Sequence, residues 1–297
     1  MNTVYLGTSG FAAAVLRRLA DSPHRPALVV TRPDRRRGRG QKLAPPPVAD
    51  EARTLGIEVF QPESVNEPRA LERVGAGQPE IVVVCAFGAL IKEPLLSAYP
   101  ILNVHPSLLP RWRGAAPVER ALMAGDESTG VSIMRLTAGL DSGPVCLQDE
   151  IAIEPQDTYG TLAPRLSALG GELLVRALDE WAAAIECAEQ PEQGVTYAEK
   201  ITAEDRLLDP DEPAAALERV VRALTPHIGA QVALHDGELL GVRRARVAAD
   251  GPPNGVLSLD GPVPVLGCAI DSLELLEVQP PGRRAMSGED YVRGHRR

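Results

Sequence analysis

The sequence predicts an α/β domain with a doubly wound, mainly parallel sheet, followed by a small β-barrel domain. Up to about residue 185, short β-branched runs alternate with helical stretches, which is the order typical of parallel sheets. The run Ile81–Ala86 is unbroken and apolar between Pro79 and Gly88, as expected of a strand buried on both faces. After Arg206, several short β-like runs separated by Gly, Asp and Pro indicate a barrel.

The elements of the first domain follow from apolar runs and helix signals. Pro45–Pro47 suit the start of a helix, and Asp157 is a candidate N-cap for a long helix that carries a stripe of leucines. The turn Gly7-Thr8-Ser9-Gly10 lacks the third glycine of a dinucleotide-binding loop, so we reject that site. The predicted strands are 3–7, 27–31, 58–61, 81–86, 101–105 and 131–136, with a candidate edge strand at 147–153. The predicted helices are 10–19, 48–55, 116–124 and 157–184.

The domain boundary is predicted where the periodic pattern stops. Residues 186–205 are polar and without a clear period, which is typical of a linker. We therefore expect a first domain at 1–188, a linker at 189–205 and a second domain at 206–297. In the second domain a helix is predicted at 213–224, and strands at 231–234, 239–242, 255–259, 263–266 and 273–278.

Composition predicts a globular protein of a reducing compartment. The 297 residues are 44% hydrophobic and 24% charged, and no run approaches the 18 apolar residues of a membrane span. The N-terminal residues lack the pattern of a secretory signal. The four cysteines (Cys85, Cys146, Cys187 and Cys268) are widely spaced and form no CxxC motif, so we expect neither a zinc site nor disulfides, and a cytoplasmic location.

The net charge of −9 does not indicate a nucleic-acid-binding protein, but positive charge is concentrated locally. Two looser basic groups lie late in the chain, around Arg243 and Arg283. A basic run can be a solvated surface or a phosphate-binding segment, and the sequence leaves both open. The densest run contains Arg32, Arg35, Arg36, Arg37, Arg39 and Lys42.

A candidate site lies within residues 101–143. Asn103 and His105 end an apolar run and share one face of a strand, because side chains alternate along it. Asp141 follows the next apolar run in a glycine-flanked segment. Open α/β sheets carry their sites beyond the carboxyl ends of the strands, so these side chains could converge on a reacting carbonyl. Equally, the histidine could be an ordinary loop residue and the aspartate a turn residue.

The motif around these residues resembles a known family. The segments NVHPSLLPRWRGAAP at 103–117 and GLDSGP at 139–144 are similar to the signature of the formyltetrahydrofolate-dependent formyltransferases. The chain most resembles the members that formylate methionyl-tRNA. Weaker similarities follow in the family's order: VYLGTSGFA at 4–12, TRPD at 31–34 with GRG at 38–40, TYAEKI at 196–201 and QPPGRRAM at 279–286.

The resemblance implies a Rossmann-like formyltransferase domain and an OB-like barrel that helps to hold tRNA. It implies formyl transfer from 10-formyltetrahydrofolate to the α-amine of initiator methionyl-tRNA, for translation initiation in the cytoplasm, by a monomer without a metal. Asn103 would donate to the oxyanion, His105 would donate or move a proton, and Asp141 would orient the imidazole or accept a proton.

The resemblance also implies binding residues. The folate segments would be Ser107, Leu108, Leu109 and Pro110, together with Ala86, Phe87, Gly88 and Leu90. The tRNA-binding residues would be Arg35, Arg36, Arg37, Arg39 and Lys42. The chain departs from the family pattern at Phe87, where a tyrosine is usual, and at Pro210, where a tryptophan is usual after the aspartate.

Two other functions compete with this one. A formyltetrahydrofolate hydrolase or a glycinamide ribonucleotide formyltransferase would share the Asn-His-Asp trio, but neither accounts for Gly38–Gly40 and the second domain. A non-catalytic nucleic-acid-binding protein on an enzyme fold is the third possibility. The presence of all three polar residues argues against it.

Overall fold

The computed structural model describes residues 1–37, 42–235 and 237–295. The chain forms two compact units, each assembled from separate stretches of sequence. The first contains Met1–Pro117, Ser128–Ile151 and Ala163–Ala198. The second contains Val118–Glu127, Ala152–Leu162 and Glu199–Arg297.

The first unit is built on a sheet of seven strands: β1 (Thr3–Gly7), β2 (Pro26–Val30), β5 (Glu58–Phe60), β6 (Ile81–Cys85), β7 (Ile101–His105), β9 (Ser128–Arg135) and β10 (Val145–Ala152). Their order across the sheet is β10-β9-β7-β6-β1-β2-β5. The five strands β5, β2, β1, β6 and β7 are parallel, and β9 is antiparallel to β7. This confirms the doubly wound, mainly parallel sheet.

Helices connect these strands, and local capping sets several of their ends. Ser9 caps the first helix by accepting a hydrogen bond from the Ala12 N–H at 3.2 Å. The long helix begins at Tyr159, two residues after the predicted start. The Asp157 carboxylate accepts hydrogen bonds from Glu154 N, which precedes the helix, and from Thr161 Oγ1, which lies in its first turn. The helices are α1 (Gly10–Ala20), α2 (Pro47–Thr54), α3 (Pro68–Ala76), α4 (Leu95–Ala98), α5 (Pro117–Ala124) and α6 (Tyr159–Trp181).

Two short strand pairs lie outside the main sheet. The basic run forms an antiparallel hairpin of β3 (Arg35–Arg37) and β4 (Lys42–Ala44). Farther along, β8 (Arg113–Gly114) pairs in parallel with β11 (Tyr197–Ala198). The predicted linker therefore contributes backbone hydrogen bonds to the first unit.

After Arg206 the described part of the second unit contains α7 (Ala214–Leu224), β12 (Ala230–Ala233), β13 (Leu239–Ala248), β14 (Leu257–Ser258), β15 (Val265–Gly267), β16 (Ser272–Gln279), β17 (Met286–Ser287) and α8 (Gly288–His295). The strands form an antiparallel six-stranded sheet with the order β12-β13-β16-β15-β14 and with β17 beside β16. The register between β13 and β16 shifts on both sides of Arg244, and such bulges bend a sheet. Buried Leu217, Val221, Leu240 and Leu275 lie in the core of this unit. This confirms a small barrel-like domain.

The expectation that no disulfide forms is wrong. Cys146 and Cys187 are joined by an S–S bond of 2.11 Å across 41 residues of sequence. Val145 and Ala188 exchange backbone hydrogen bonds of 2.8 and 2.9 Å, and this pairing places the two neighbouring cysteines side by side. Spacing along the sequence could not show this, because a contact between two distant segments produces it.

The described ranges contain no helix that is long and apolar enough to cross a membrane. Nor do these ranges contain a group of three His, Cys, Asp or Glu side chains with an arrangement that could hold a metal ion.

Candidate active site

The last residues of β7 place an amide and an imidazole at the carboxyl end of the sheet. β7 lies between β6 and β9, and all five of its residues are buried. Asn103 and His105 are only 7% and 4% exposed, yet both side chains are polar. Since alternate residues of a strand share a face, the two side chains project together, as the sequence predicts.

Asp141 reaches these two side chains from the segment between β9 and β10. Its Oδ1 lies 3.4 Å from Asn103 Nδ2, and its Oδ2 lies 3.7 Å from His105 Nδ1. The side chains of His105 and Asp141 are 5% and 14% exposed, so water screens this pair poorly. The structure therefore brings together the three residues that the sequence singles out.

The carbonyl of Trp112 decides how His105 is protonated when it is neutral. His105 Nε2 lies 2.8 Å from Trp112 O, and a carbonyl oxygen can only accept a hydrogen bond. Nε2 must therefore carry the proton, and Nδ1 presents its lone pair toward Asp141 Oδ2. A proton taken up by Nδ1 would be held against the carboxylate.

The backbone and two polar side chains hold Asp141 in place. Gly114 N donates to Asp141 Oδ2 at 2.9 Å, and Gln190 Nε2 donates to the Asp141 carbonyl at 2.8 Å. Gly114 has φ +125°, and a Cβ there would lie 2.7 Å from Ala198 O, so only glycine fits. Three further residues of the site are not predicted from the sequence: Trp112, Gly114 and Gln190. The first two lie inside the recognised motif, whereas Gln190 carried no signal.

Left-handed backbone conformations are concentrated at this end of the sheet. Of the six non-glycine residues with positive φ among those described, three follow β6, β7 and β9. They are Ala86 at +42°, Trp112 at +62° and Asp141 at +43°. Such residues cost on the order of 1 kcal/mol or more each, and they persist where the surroundings hold them in place. Their concentration here is typical of a functional site.

The first predicted folate segment is a compact turn held by β9. Ser107 is fully buried, and its hydroxyl donates to Arg111 O at 2.6 Å. Ser132 Oγ donates to Ser107 O at 2.6 Å and accepts from Leu109 N at 3.1 Å. Leu109 is buried and Leu108 is half-buried, and Pro110 follows a cis peptide bond. The turn that follows His105 is thus fixed by hydrogen bonds within the chain.

The second predicted folate segment follows β6 and is divided between core and surface. Phe87 is 5% exposed and packs in the core of the first unit. By contrast, Ala86 and Gly88 are exposed, and Leu90 is 67% exposed. Thr8 Oγ1 donates to Phe87 O at 2.7 Å, which ties this segment to the turn after β1. In this segment the accessible surface therefore belongs to Ala86, Gly88 and Leu90, and not to Phe87.

Strands β3 and β4 contain four of the five residues predicted to bind tRNA. Arg35, Arg36 and Lys42 are exposed there, beside Leu43, which is 68% exposed. Arg37 lies in β3, and its side chain is outside the described part of the structure, as is Arg39 altogether. The described part of the hairpin is a positively charged surface with an exposed apolar residue.

Cys85, the free thiol nearest the site in sequence, is not a nucleophile at neutral pH. Burial raises the pKa of Cys85 to about 12, so the residue remains a thiol, and the thiolate is the reactive form. Burial likewise raises the pKa of the neighbouring Tyr5 well above its usual value. The polar groups that the structure brings together here are the Asn103 amide, the His105 imidazole and the Asp141 carboxylate. Together they provide an oxyanion donor and a proton acceptor, which suits acyl transfer to an amine.

Comparison with known proteins agrees with this chemistry. The chain is 42% identical over 301 residues to methionyl-tRNA formyltransferase of Methylococcus capsulatus, covering 99% of this chain and 97% of that protein. It is 43% identical over 300 residues to the protein of the same name from Acidithiobacillus ferrooxidans, covering 99% and 95%.

A solved structure shares the fold at low sequence identity. HypX from Aquifex aeolicus, crystallised in complex with tetrahydrofolic acid, is 15% identical with a TM-score of 0.65. The match covers 98% of this chain, which spans 46% of HypX.

Family models account for nearly the whole sequence. Residues 1–178 match the model of the formyl transferase family, and residues 200–296 match that of the formyl transferase C-terminal domain. With both matches in order and a site of the corresponding chemistry, this chain belongs to the formyl transferase family.

Proposed function

We propose that this protein transfers the formyl group of 10-formyltetrahydrofolate to the α-amine of initiator methionyl-tRNA, a reaction that serves translation initiation. The observation that carries the proposal is the convergence of Asn103 and His105 on Asp141, whose carboxylate oxygens lie 3.4 Å from Asn103 Nδ2 and 3.7 Å from His105 Nδ1. The two family matches and the names of relatives above 40% identity support it.

The residues around the trio suit a folate. A flat heterocycle requires apolar surface and free backbone groups. Both are offered after β6 and β7, the strands that end near the polar trio, by exposed Ala86, Gly88 and Leu90 and by half-buried Leu108. When bound, the folate supplies a formyl group carried on N10. Ser107, Leu109, Pro110 and Phe87 are buried or half-buried, and their role is to fix the shape of the two segments.

His105 and Asp141 accept and hold the proton that the attacking amine loses. His105 Nδ1 and Asp141 Oδ2 both face the site as proton acceptors, 3.7 Å apart. The Trp112 carbonyl holds the other ring nitrogen, so the imidazole cannot turn its lone pair away. The carboxylate then stabilises the positive charge of the protonated imidazole, and that proton is available to the leaving nitrogen.

Asn103 supplies the oxyanion donor. Its Nδ2 carries two hydrogens, and Asp141 Oδ1 at 3.4 Å occupies the direction of one of them. The other hydrogen is available to the carbonyl oxygen on which negative charge develops. Removing one such donor typically lowers kcat by about 10²- to 10³-fold.

The tRNA is bound through positive charge outside this trio. We assign the phosphate contacts to the β3–β4 hairpin with Arg35, Arg36, Arg37, Arg39 and Lys42, and a supporting role to the C-terminal domain. The domain limits that we propose are 1–188 and 206–297, joined by 189–205. The protein acts in the cytoplasm as a monomer.

The direct test is to mix the protein with 10-formyltetrahydrofolate and initiator methionyl-tRNA and to measure formylmethionine on the tRNA. We expect formylation with the wild-type protein and a large loss with Asp141→Asn. A parallel reaction without tRNA measures release of formate. Rapid formate release with no formylated tRNA would contradict the proposal in favour of a hydrolase.

A further inference from the structure

We infer that Gln190 is a positioning residue that holds the Asp141 segment in its reactive geometry, an assignment that rests on the function proposed above. Gln190 lies between residues 178 and 200, outside both family matches. It follows α6, in the stretch that the sequence predicts to be a linker. Nothing in its sequence surroundings suggests a role in catalysis.

The carboxamide of Gln190 uses its whole hydrogen-bonding capacity at the site. Its Nε2 donates to the carbonyls of Asp141 and Gly143, both at 2.8 Å. Its Oε1 accepts from Arg113 Nε at 2.9 Å and from Arg113 Nη2 at 2.7 Å. Two donors and two acceptor positions are all that an amide offers, so the side chain can adopt only one orientation here.

Arg113 determines that orientation. A guanidinium only donates hydrogen bonds, so it must face Oε1, and the NH₂ group is then directed at the two carbonyls. Gly114, the next residue after Arg113, donates its N–H to Asp141 Oδ2 at 2.9 Å. Asp141 is therefore held at its carboxylate by Gly114 and at its carbonyl by Gln190, and Arg113 connects the two.

The segment that carries Gln190 is itself anchored at both ends. On one side Ala188 pairs with Val145, next to the Cys146–Cys187 disulfide. On the other side Thr196 accepts from Trp112 N at 2.9 Å through its hydroxyl and from Arg113 N at 2.9 Å through its carbonyl. Because its supports are fixed, Gln190 can resist rotation of the Asp141 segment.

Asp141 needs such support. Its φ of +43° is an unfavourable conformation for a residue with a side chain, and its carboxylate must lie between Asn103 and His105. Without the bonds to the carbonyls at 141 and 143, the backbone could relax to negative φ. The carboxylate would then leave His105 Nδ1. Outer hydrogen-bond partners of this kind typically affect activity about 10- to 100-fold.

The first test replaces Gln190 by leucine and by glutamate. Gln190→Leu removes all four hydrogen bonds, whereas Gln190→Glu keeps the contact with Arg113 but cannot donate to the two carbonyls. We expect both variants to lower kcat for formylation by about 10- to 100-fold, with KM for folate and for tRNA within about threefold. If Gln190→Leu fails to fold, Gln190→Glu still tests the donor bonds.

Asn2 offers a matched control in the same compact unit. Its Nδ2 donates to the carbonyls of Gly77 and Gln78, and Gln78 has a φ of +43°, so Asn2→Leu also releases two carbonyls of a segment with left-handed backbone. We expect a similar loss of melting temperature and less than a twofold change in kcat at saturating substrates.

A double-mutant cycle with Asp141 separates positioning from general stability. If Gln190 acts through Asp141, Gln190→Leu should cause almost no further loss of kcat in the Asp141→Asn background. An equal fractional loss in both backgrounds, or unchanged kcat in folded Gln190→Leu and Gln190→Glu, would overturn the assignment. A wild-type protein that forms no formylmethionine would instead overturn the proposed function, and this assignment with it.

Discussion

At the scale of single residues, Trp112 O is the group that fixes the tautomer and the ring orientation of His105. By fixing the proton on Nε2 it leaves Nδ1 as the acceptor that faces Asp141. The bond also shows that His105 is a buried strand residue, 4% exposed, and not an ordinary loop histidine. Replacing His105 by alanine would remove this hydrogen bond to the Trp112 carbonyl, so a loss of stability of about 0.5–1.5 kcal/mol would accompany the loss of activity.

Asp141→Asn is therefore the cleaner test of the trio. We expect kcat to fall by at least about 10²-fold, because a neutral amide cannot stabilise the protonated imidazole. Folding and tRNA affinity should change little, since an asparagine oxygen can still accept from Gly114 N. The measurements are steady-state formylation, tRNA binding and thermal unfolding.

The His24–Asp179 pair provides the control for that substitution. Asp179 Oδ1 lies 2.8 Å from His24 Nε2 in the same compact unit, so Asp179→Asn also removes a carboxylate from a histidine. Its kcat should match the wild type. A fall in melting temperature that fully accounts for the lost activity of Asp141→Asn would mark Asp141 as structural.

At the scale of elements, the β3–β4 hairpin is the element to which we assign the phosphate contacts of the tRNA. Replacing Arg35, Arg36 and Lys42 by glutamine should raise KM for tRNA and leave KM for the folate unchanged. Each lost phosphate contact lowers the log–log salt slope of tRNA binding by roughly 0.7 to 0.9, so three should lower it by about 2 to 3. Binding titrations at several salt concentrations measure the slope.

Three other exposed arginines of the first unit give a control with the same change of charge. Arg17, Arg53 and Arg176 are 50% to 67% exposed and pair with acidic neighbours on helices. Their triple glutamine variant should keep the salt slope of the wild type. If instead the hairpin variant keeps it, the groups around Arg243 and Arg283 become the candidates for the tRNA surface.

A second element-scale prediction concerns the ion pair of Arg120 in α5 with Asp205. The two are joined by N–O contacts of 2.6 and 3.1 Å, and Thr202 N also donates to the carboxylate. Burial alone would raise the pKa of Asp205, but the hydrogen bonds from Arg120 and Thr202 outweigh it and lower the pKa. The stabilisation is thus present above the unfolded pKa of about 3.9 and is lost as pH falls through the lower folded pKa.

Asp205→Asn should therefore lower the melting temperature at pH 7 by about 2–4 °C, and the difference should shrink below pH 4. Thermal unfolding of both proteins across this pH range provides the measurement. Asp209→Asn serves as the control, because Asp209 accepts from the backbone N–H of Asp211 and forms no ion pair with an arginine of the described ranges. A difference that is constant with pH would show that the charge of Asp205 is irrelevant.

At the scale of the whole molecule, the disulfide closes a loop of 41 residues that contains the whole of α6. A loop of that length stabilises a folded protein by about 4 kcal/mol in the chain-entropy model. We expect the double variant Cys146→Ser, Cys187→Ser to lose roughly that free energy of unfolding. A reductant should destabilise the wild type by a similar amount and leave the double variant unaffected.

Counting thiols checks the bond directly. Cys85 and Cys268 are buried free thiols, so the denatured, unreduced protein should show two reactive thiols and the reduced protein four. Four thiols before reduction would contradict the bond. That result would support the reduced cysteines that the spacing in the sequence predicts.

The sequence by itself determined the strands of the main sheet and the two polar residues of β7. Both depend on local periodicity: apolar runs of strand length predict the sheet, and a period of two places Asn103 and His105 on one face. The motif that contains them was specific enough to indicate the family before any contact was known. Asp141 could be named as a candidate for the same reason.

Only the tertiary structure decided what holds Asp141 and which nitrogen of His105 faces it. Gln190 lies 49 residues after Asp141, and Cys187 lies 41 residues after Cys146, so neither contact leaves a pattern in the sequence. Both arise because the segment after α6 returns to pair with Val145 and with β8. Local rules place a side chain on a face, whereas contacts made in the folded chain fix its proton, as Trp112 O does for His105, and its orientation, as Gln190 does for Asp141.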